Sequence, residues 1–305
     1  MTFAALLGSH EWATGDSPSM TDTALAQLQI DRRQDGGAVV MLPSGARPVV
    51  VMDGDLVARL DATIDALEQD LPTWVVLASD TERSFVAGAD LNEINRLSDA
   101  ALSDYMVEGQ RVFGRLAAFP RPVVAAIGGP ALGGGLELAL HCHAIVAAQM
   151  GRNDKPYPIG LPEAGLGLCP AWGGTQLLAG RIDPSIAIHA TAAGRPFKSN
   201  AMPQGLADCT VASRDDVLDA ACTHGAGMHA SVPNNVTQAN ADAVHTACNE
   251  ARALGTAAAE AVVDCIETSL RDGLEAGLQA ERHHIVALRN TADTRARIEE
   301  FLHRG

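Results

Sequence analysis

The chain has 305 residues, a net charge of −15 and only two lysines, Lys155 and Lys198. Its 47% hydrophobic and 19% charged residues match a globular protein able to bury a substantial core. The acidic surplus argues against a nucleic-acid partner, which needs a basic footprint, and no run reaches the roughly 18 apolar residues of a membrane span. Six scattered cysteines form no CxxC pair, and the first residues lack the basic start and apolar run of a signal peptide. The expectation is a cytoplasmic protein with free thiols, without membrane association and without a metal.

Residues 1–22 hold Gly, Ser, Pro and Asp without periodicity and are expected to be a flexible leader. Two alternating segments between Ala24 and Leu42 flank RRQDGG and predict an antiparallel hairpin. Leu56, Val57, Leu60, Ile64 and Leu67 follow the spacing of an amphipathic helix over Asp55–Leu71. WVVLA (Trp74–Ala78) reads as a buried strand, and SFVAGAD (Ser84–Asp90) as a second that breaks at Gly88. Ser103–Ala118 reads as a helix stopped by Phe119-Pro120. Pro122–Ile127 is apolar throughout, as in a strand buried on both faces. A turn at Gly128-Gly129-Pro130 leads to a predicted helix, Leu132–His141, whose first turn carries Gly133-Gly134-Gly135. His143–Ala148 returns as a strand.

Strand-turn-helix-strand units thus repeat from about residue 37 to 150, which signals an α/β fold. Helices are predicted at Gly174–Gly180, Pro184–Ala193 and Ser199–Gly205, then a strand at Asp208–Val211. From Asp215 the chain reads as helix with almost no Gly or Pro from Ala239 onward. No linker marks a second independent domain. The division expected is a leader (1–22), an α/β core (23–212) and a helical region (213–305) suited to packing on the core or on another subunit.

Glycines in a strand-to-helix turn let backbone N–H groups approach a ligand, and at a helix start those groups lack partners and favour negative charge. The triple glycine is neither GxxxxGK[ST] nor GxGxxG, so it is no nucleotide-binding loop. Glu137 follows one turn after Gly134 among Leu and Ala. Glu163 sits in a second Gly- and Pro-rich stretch, LPEAGLGLCPAWGG. An acid in apolar surroundings is pushed toward neutrality, as general acid–base chemistry requires. A helix cap or an arginine partner is the other reading of each. His141 and His143 would share a face of a strand, yet no third metal ligand is near, and a hydrogen-bonded structural role is favoured.

Three blocks, FVAGADLNEI, PVVAAIGGPALGGGLELAL and GLPEAGLGLCPAWGGTQLL, occur in order and resemble the signatures of the enoyl-CoA hydratase/isomerase (crotonase) superfamily. The likeness covers about residues 37–212 well, the later helices more loosely, and is nearest the hydratase domain of bacterial fatty-acid oxidation multienzymes. It implies a core of repeated ββα turns and a helical C-terminal region that makes homotrimers or hexamers. It also implies an acyl-CoA thioester substrate that itself carries the coenzyme A, with no further cofactor. By the same resemblance, an oxyanion hole is formed by the amides of Ala89 and Gly134. Ala87, Gly88, Ala89, Asp90 and Leu91 contact CoA, and Glu137 and Glu163 are the catalytic pair that hydrates a trans-2-enoyl-CoA to 3-hydroxyacyl-CoA in fatty-acid β-oxidation. Double-bond isomerisation, thioester hydrolysis and a non-catalytic trimeric scaffold are the alternatives. The sequence departs from the family pattern at His143, where an acidic residue is common, and at Asn92, where Lys is frequent. Residues 151–158 form an insert, read as a surface insertion or as an element that reshapes the acyl pocket. Family lysines near the C-terminus are absent; Arg282, Arg289, Arg295, Arg297 or Arg47 could take their place against the CoA phosphates, although a solvated surface charge is the simpler reading of each.

Overall fold

A computed structural model describes residues 26–304; the expected leader lies outside the described residues. Among the described residues the core sheet has six strands: β1 (Gln29–Arg32), β2 (Ala38–Leu42), β3 (Val75–Ser79), β4 (Val123–Ile127), β6 (Ala144–Met150) and β9 (Cys209–Ser213). β1 and β2 form the antiparallel hairpin, and every later pairing in this sheet is parallel. A smaller sheet joins β5 (Ala131–Leu132), β7 (Pro158–Gly160) and β8 (Phe197–Lys198).

The central strands are apolar on both faces because both are covered. Val75, Leu77, Val123, Ala125, Ile145 and Ala147 join the main core. Their alternates Val76, Ala78, Val124, Ala126, Val146 and Ala148 meet Trp74, Val217 and Ala221 on the other side. This two-residue period is that of strand side chains, and the second layer is supplied by α7 (Val217–Gly227).

Helices α1 (Gly54–Gln69) and α3 (Asp99–Ala117) pack together, with the short α2 (Leu91–Arg96) before α3. Asp53, Asp90 and Ser98 cap these three helices by accepting from the first-turn amides. α4 (Gly134–Leu140) follows β5, and α5 (Gly174–Arg181) and α6 (Pro184–Ala192) follow the Glu163 segment. The last part of the chain holds α8 (Ala241–Arg252), α9 (Ala257–Asp272), α10 (Leu274–Arg289) and α11 (Ala292–Arg304). α10 packs on α9, α3 and α5, and so brings C-terminal side chains to the centre of the molecule.

Several local expectations change. Ser84–Asp90 is no regular strand: only Val86 and Ala89 make isolated bridges, to Ala131 and Met52, because this edge changes partner midway. The helix expected at Leu132–His141 starts at Gly134, since Leu132 is held in the small sheet and Gly133 has φ +52°. Ser199–Ala201 is a single tight turn rather than the start of a helix to Gly205. The final helical run is interrupted at Gly255 and Gly273, where φ is +65° and +94°. Among the described residues no helix is long and apolar enough to cross a membrane.

Candidate active site

Three chain segments converge on one pocket. The first, residues 86–91, is tied to the sheet by hydrogen bonds from Met52 N to Gly88 O and from Asp90 N to Met52 O. The second is the start of α4, drawn against the first by glycine. A Cβ on Gly135 would lie 2.2 Å from Val86 O, and one on Gly134 would stand 2.5 Å from the Trp172 ring and 3.7 Å from Ala89 N. Close packing, rather than an unusual dihedral, therefore requires glycine at these two positions: Gly135 against the backbone of Val86, and Gly134 against the Trp172 ring. The amides of Ala89 and Gly134 are neighbours, and neither donates to a protein acceptor among the described residues.

The third segment, Leu161 to Gly174, carries Glu163 in a tight turn, Glu163–Leu166, closed by Gly167 with φ +79°. Thr294 of α11 donates to Gly167 O at 3.0 Å and fastens this turn from the C-terminal side. Trp172 is buried, with Tyr105 and Phe113 edge-on at ring separations of 5.2 and 5.4 Å. The pocket is lined by Gly88, Ala89, Leu91, Gly134, Glu137 and Glu163, with an apolar wall from α2, α3 and α10 that includes Ile94, Met106 and Ile285. Its volume is about 510 Å³ including the open mouth.

The two predicted acids thus meet in one pocket but have different surroundings. Glu137 is 2% exposed, and its Oε1 accepts from Trp172 N at 2.8 Å and Gly174 N at 2.9 Å. Burial raises its pKa from 4.5 to about 7, opposed by these amide bonds. Glu163 Oε1 lies 2.7 Å from the point where a Cβ on Gly133 would stand, and its Oε2 is buried with no hydrogen-bond partner. Burial, and then the Glu137 charge, drive the Glu163 pKa well above the usual value.

A third carboxyl was not foreseen. Glu281 of α10 is fully buried and accepts from Gly173 N at 2.7 Å, Thr175 N at 3.1 Å and Thr175 Oγ1 at 2.5 Å. Burial, then the charge of Glu137, raise its pKa to about 8. The signal for it was its place on the buried stripe of α10, four residues from both Gly277 and Ile285.

The other candidates are distributed as follows. Gly88, Ala89 and Leu91 line the pocket. Ala87 is buried with its amide bonded to Val50 O. Asp90 caps α2 and pairs with Arg47 at 3.1 Å. His141 ends α4 rather than sitting in a strand; its Nδ1 is 2.8 Å from Glu137 O, and burial lowers its pKa to about 4. His143 Nδ1 accepts from Val123 N at 2.9 Å. Each ring thus has a hydrogen-bonded structural place, and among the described residues no group of three or more His, Cys, Asp or Glu is arranged to hold a metal. The insert 151–158 adds no residue to the pocket wall; Tyr157 instead donates to Ile127 O and Ala148 O, at 2.8 and 2.6 Å. Arg289, expected on the surface, is 4% exposed, donates to Ile94 O and Leu97 O and pairs with Asp99.

The acids make stability depend on pH in a definite direction. The folded chain holds protons on Glu137 and Glu281 up to about pH 7 and 8, whereas the unfolded chain releases them near 4.5. Between those limits the native state binds more protons, so stability falls as pH rises. For Glu137 alone the effect is on the order of 3 kcal/mol. Thermal melting is expected to fall from about pH 5 to 8 in the wild type, and by less in Glu137→Gln. An equal fall in both proteins would show that Glu137 ionises normally.

The chain matches the enoyl-CoA hydratase/isomerase family over residues 47–286. It is 32% identical over 176 residues to a probable enoyl-CoA hydratase of Bacillus subtilis (strain 168), the aligned part being 57% of this chain and 66% of that relative. Among solved structures, a carnitinyl-CoA dehydratase from Mycobacterium thermoresistibile superposes with a TM-score of 0.67 at 20% identity, covering 91% of this chain and 90% of the other. An enoyl-CoA isomerase of Mtb superposes with a TM-score of 0.58 at 23% identity, covering 79% and 97%. The fold is thus crotonase-like, an α/β core with a helical C-terminal region, and the chain belongs to the enoyl-CoA hydratase/isomerase family.

Proposed function

We propose that the protein hydrates a trans-2-enoyl-CoA to the 3-hydroxyacyl-CoA. The observation that carries this reading is the pair of carboxyls lining one pocket beside the uncommitted amides of Ala89 and Gly134. The thioester oxygen accepts hydrogen bonds from both amides. Glu137, held by two amides, acts in its ionised form, present above about pH 7: it orients water and takes its proton as the oxygen attacks the β-carbon. The pair of the C=C bond shifts to join the α-carbon to the carbonyl carbon as an enolate, and the carbonyl pair moves onto the thioester oxygen, where the two amides stabilise it. Glu163, kept protonated by burial and by the charge beside it, then delivers a proton to the α-carbon. The role assignment follows from environment: amide donors favour the charged form of Glu137, whereas Glu163 has one oxygen without any donor. The apolar wall of Leu91, Ile94, Met106 and Ile285 suits an acyl group.

The test is loss of the conjugated enoyl-thioester absorbance with crotonyl-CoA and longer homologues. Inactivity at every chain length would refute hydration, and conversion of a 3-enoyl-CoA to its 2-isomer without hydration would make the protein an isomerase. An acyl-CoA that neither reacts nor binds would leave the scaffold reading. The helical C-terminal region belongs to the same proposal as the surface of a homotrimer or hexamer, checked by light scattering in solution.

Gly135→Ala tests the oxyanion site. The new Cβ meets backbone at Val86 O and must push α4 away from residues 86–89, at a cost of about 1–3 kcal/mol in stability. Losing the paired amides is expected to lower kcat by about 10²-fold or more. A variant with melting temperature and kcat both near wild type would show that the close approach is unnecessary.

A further inference from the structure

Glu281 is an acid in the core that the hydration scheme does not use. Its contacts all run one way: two backbone amides and one hydroxyl aim at its carboxyl, and among the described residues no cation is prominent among the groups that act on it. The direction of the hydroxyl is set by Gln176, whose Nε2 donates to Thr175 Oγ1 at 2.7 Å and leaves the Thr175 proton for Glu281. An apolar side chain would fill this place without the cost of burying an acid, but would strand the Gly173 and Thr175 amides.

The order of the donors is the informative feature. Four successive amides at the start of α5 alternate between two carboxyls: Trp172 and Gly174 bond Glu137, and Gly173 and Thr175 bond Glu281. The first acid comes from α4 and the second from α10. The backbone between them has little slack. Gly173 has φ +94°, and a Cβ on Gly174 would lie 2.8 Å from Glu137 Oε1. Turning either peptide away from Glu281 would turn its neighbours away from Glu137.

We infer that Glu281 is a positioning residue: it anchors the Gly173 and Thr175 amides so that the Trp172 and Gly174 amides hold the carboxyl of Glu137 in its working orientation. The effect passes through four residues of backbone, without contact between Glu281 and the substrate. The acids nearest this arrangement are Glu137 and Glu163, and His141 beside them is neutral, so no cation substitutes for the amide donors. A plain helix cap on α5 would affect stability alone; a positioning residue also affects what Glu137 does.

The inference rests on the proposed role of Glu137, so its test has one arm independent of any reaction. In ligand-free protein, Glu281→Gln keeps one accepting oxygen and puts an NH₂ group against the other donor amide, that of Gly173 or of Thr175. The amide proton resonances of Trp172 and Gly174 should then move upfield as their bonds to Glu137 lengthen, with melting still cooperative. In the kinetic arm, Glu281→Gln should lower kcat about tenfold or more with KM within about twofold, and should add no further loss in a Glu137→Gln background. Thr175→Val removes only the hydroxyl donor; it should give smaller changes of the same sign and serves if Glu281→Gln does not fold. Unmoved Trp172 and Gly174 resonances, or losses from Glu281→Gln and Glu137→Gln that multiply, would overturn the inference. Moved resonances in a protein without hydratase activity would uphold the anchoring and refute the reaction instead.

Discussion

Glu163→Gln is expected to lower the kcat for crotonyl-CoA hydration by roughly 10²–10⁴-fold while KM changes little. The carboxamide keeps the size of the side chain, so the 163–166 turn and its tie to Thr294 stay in place. What disappears is a proton available for transfer. The wild-type Oε2 has no hydrogen-bond partner and is buried, which leaves the carboxyl neutral and directed at nothing the protein supplies. Removing an acid from such a place relieves its burial cost, so the variant should melt at or above the wild-type temperature near pH 8. A lost rate with retained stability separates chemistry from unfolding. The variant should also fail to exchange the α-hydrogens of a saturated acyl-CoA with deuterated water, since that exchange uses the same proton path. Turnover within fivefold of wild type would remove Glu163 from the mechanism.

Glu137→Gln is expected to lose rate on a similar scale for a different reason. Its Oε1 can still accept from Trp172 N and Gly174 N, so the start of α5 keeps its bonds. The NH₂ group that replaces the other oxygen cannot take a proton from water. With Glu163 intact, exchange at the α-carbon should persist in this variant although hydration fails. The two substitutions therefore divide the reaction: one abolishes exchange and hydration together, the other hydration alone. If both variants lost exchange equally, the separate roles of water activation and α-carbon protonation would have to be abandoned.

Much of this site could be read from local sequence because its parts are local. The Gly133–Gly135 run and Glu137 share the start of one helix, and FVAGAD lies in a single loop. Each is recognisable from residue type and spacing, and the resemblance to the hydratase/isomerase blocks added order. The errors fell where tertiary contact overrode local preference. Leu132 has a side chain suited to a helix, yet it pairs with Gly160 in the small sheet. His141 and His143 alternate as in a strand, yet the helix runs to Leu140 and His141 ends it. Arg289 reads as a surface charge, but the carbonyls of Ile94 and Leu97 draw it inward from nearly 200 residues away.

By itself the sequence determined the apolar alternation of the core strands, the glycines that let backbones approach, and the two acids placed among apolar residues. These depend on neighbours in the chain, where side-chain period and backbone freedom act directly. Only the tertiary structure decided that Glu163 has an oxygen without a donor, and that Glu281 faces the same short backbone run as Glu137. The bonds of Glu281 span 106 and 108 residues, and its neighbours in the chain, AERHH, do not point to those partners. Burial and donor alignment arise from packing α10 against α5, and that packing is what turns an ordinary glutamate into part of the site.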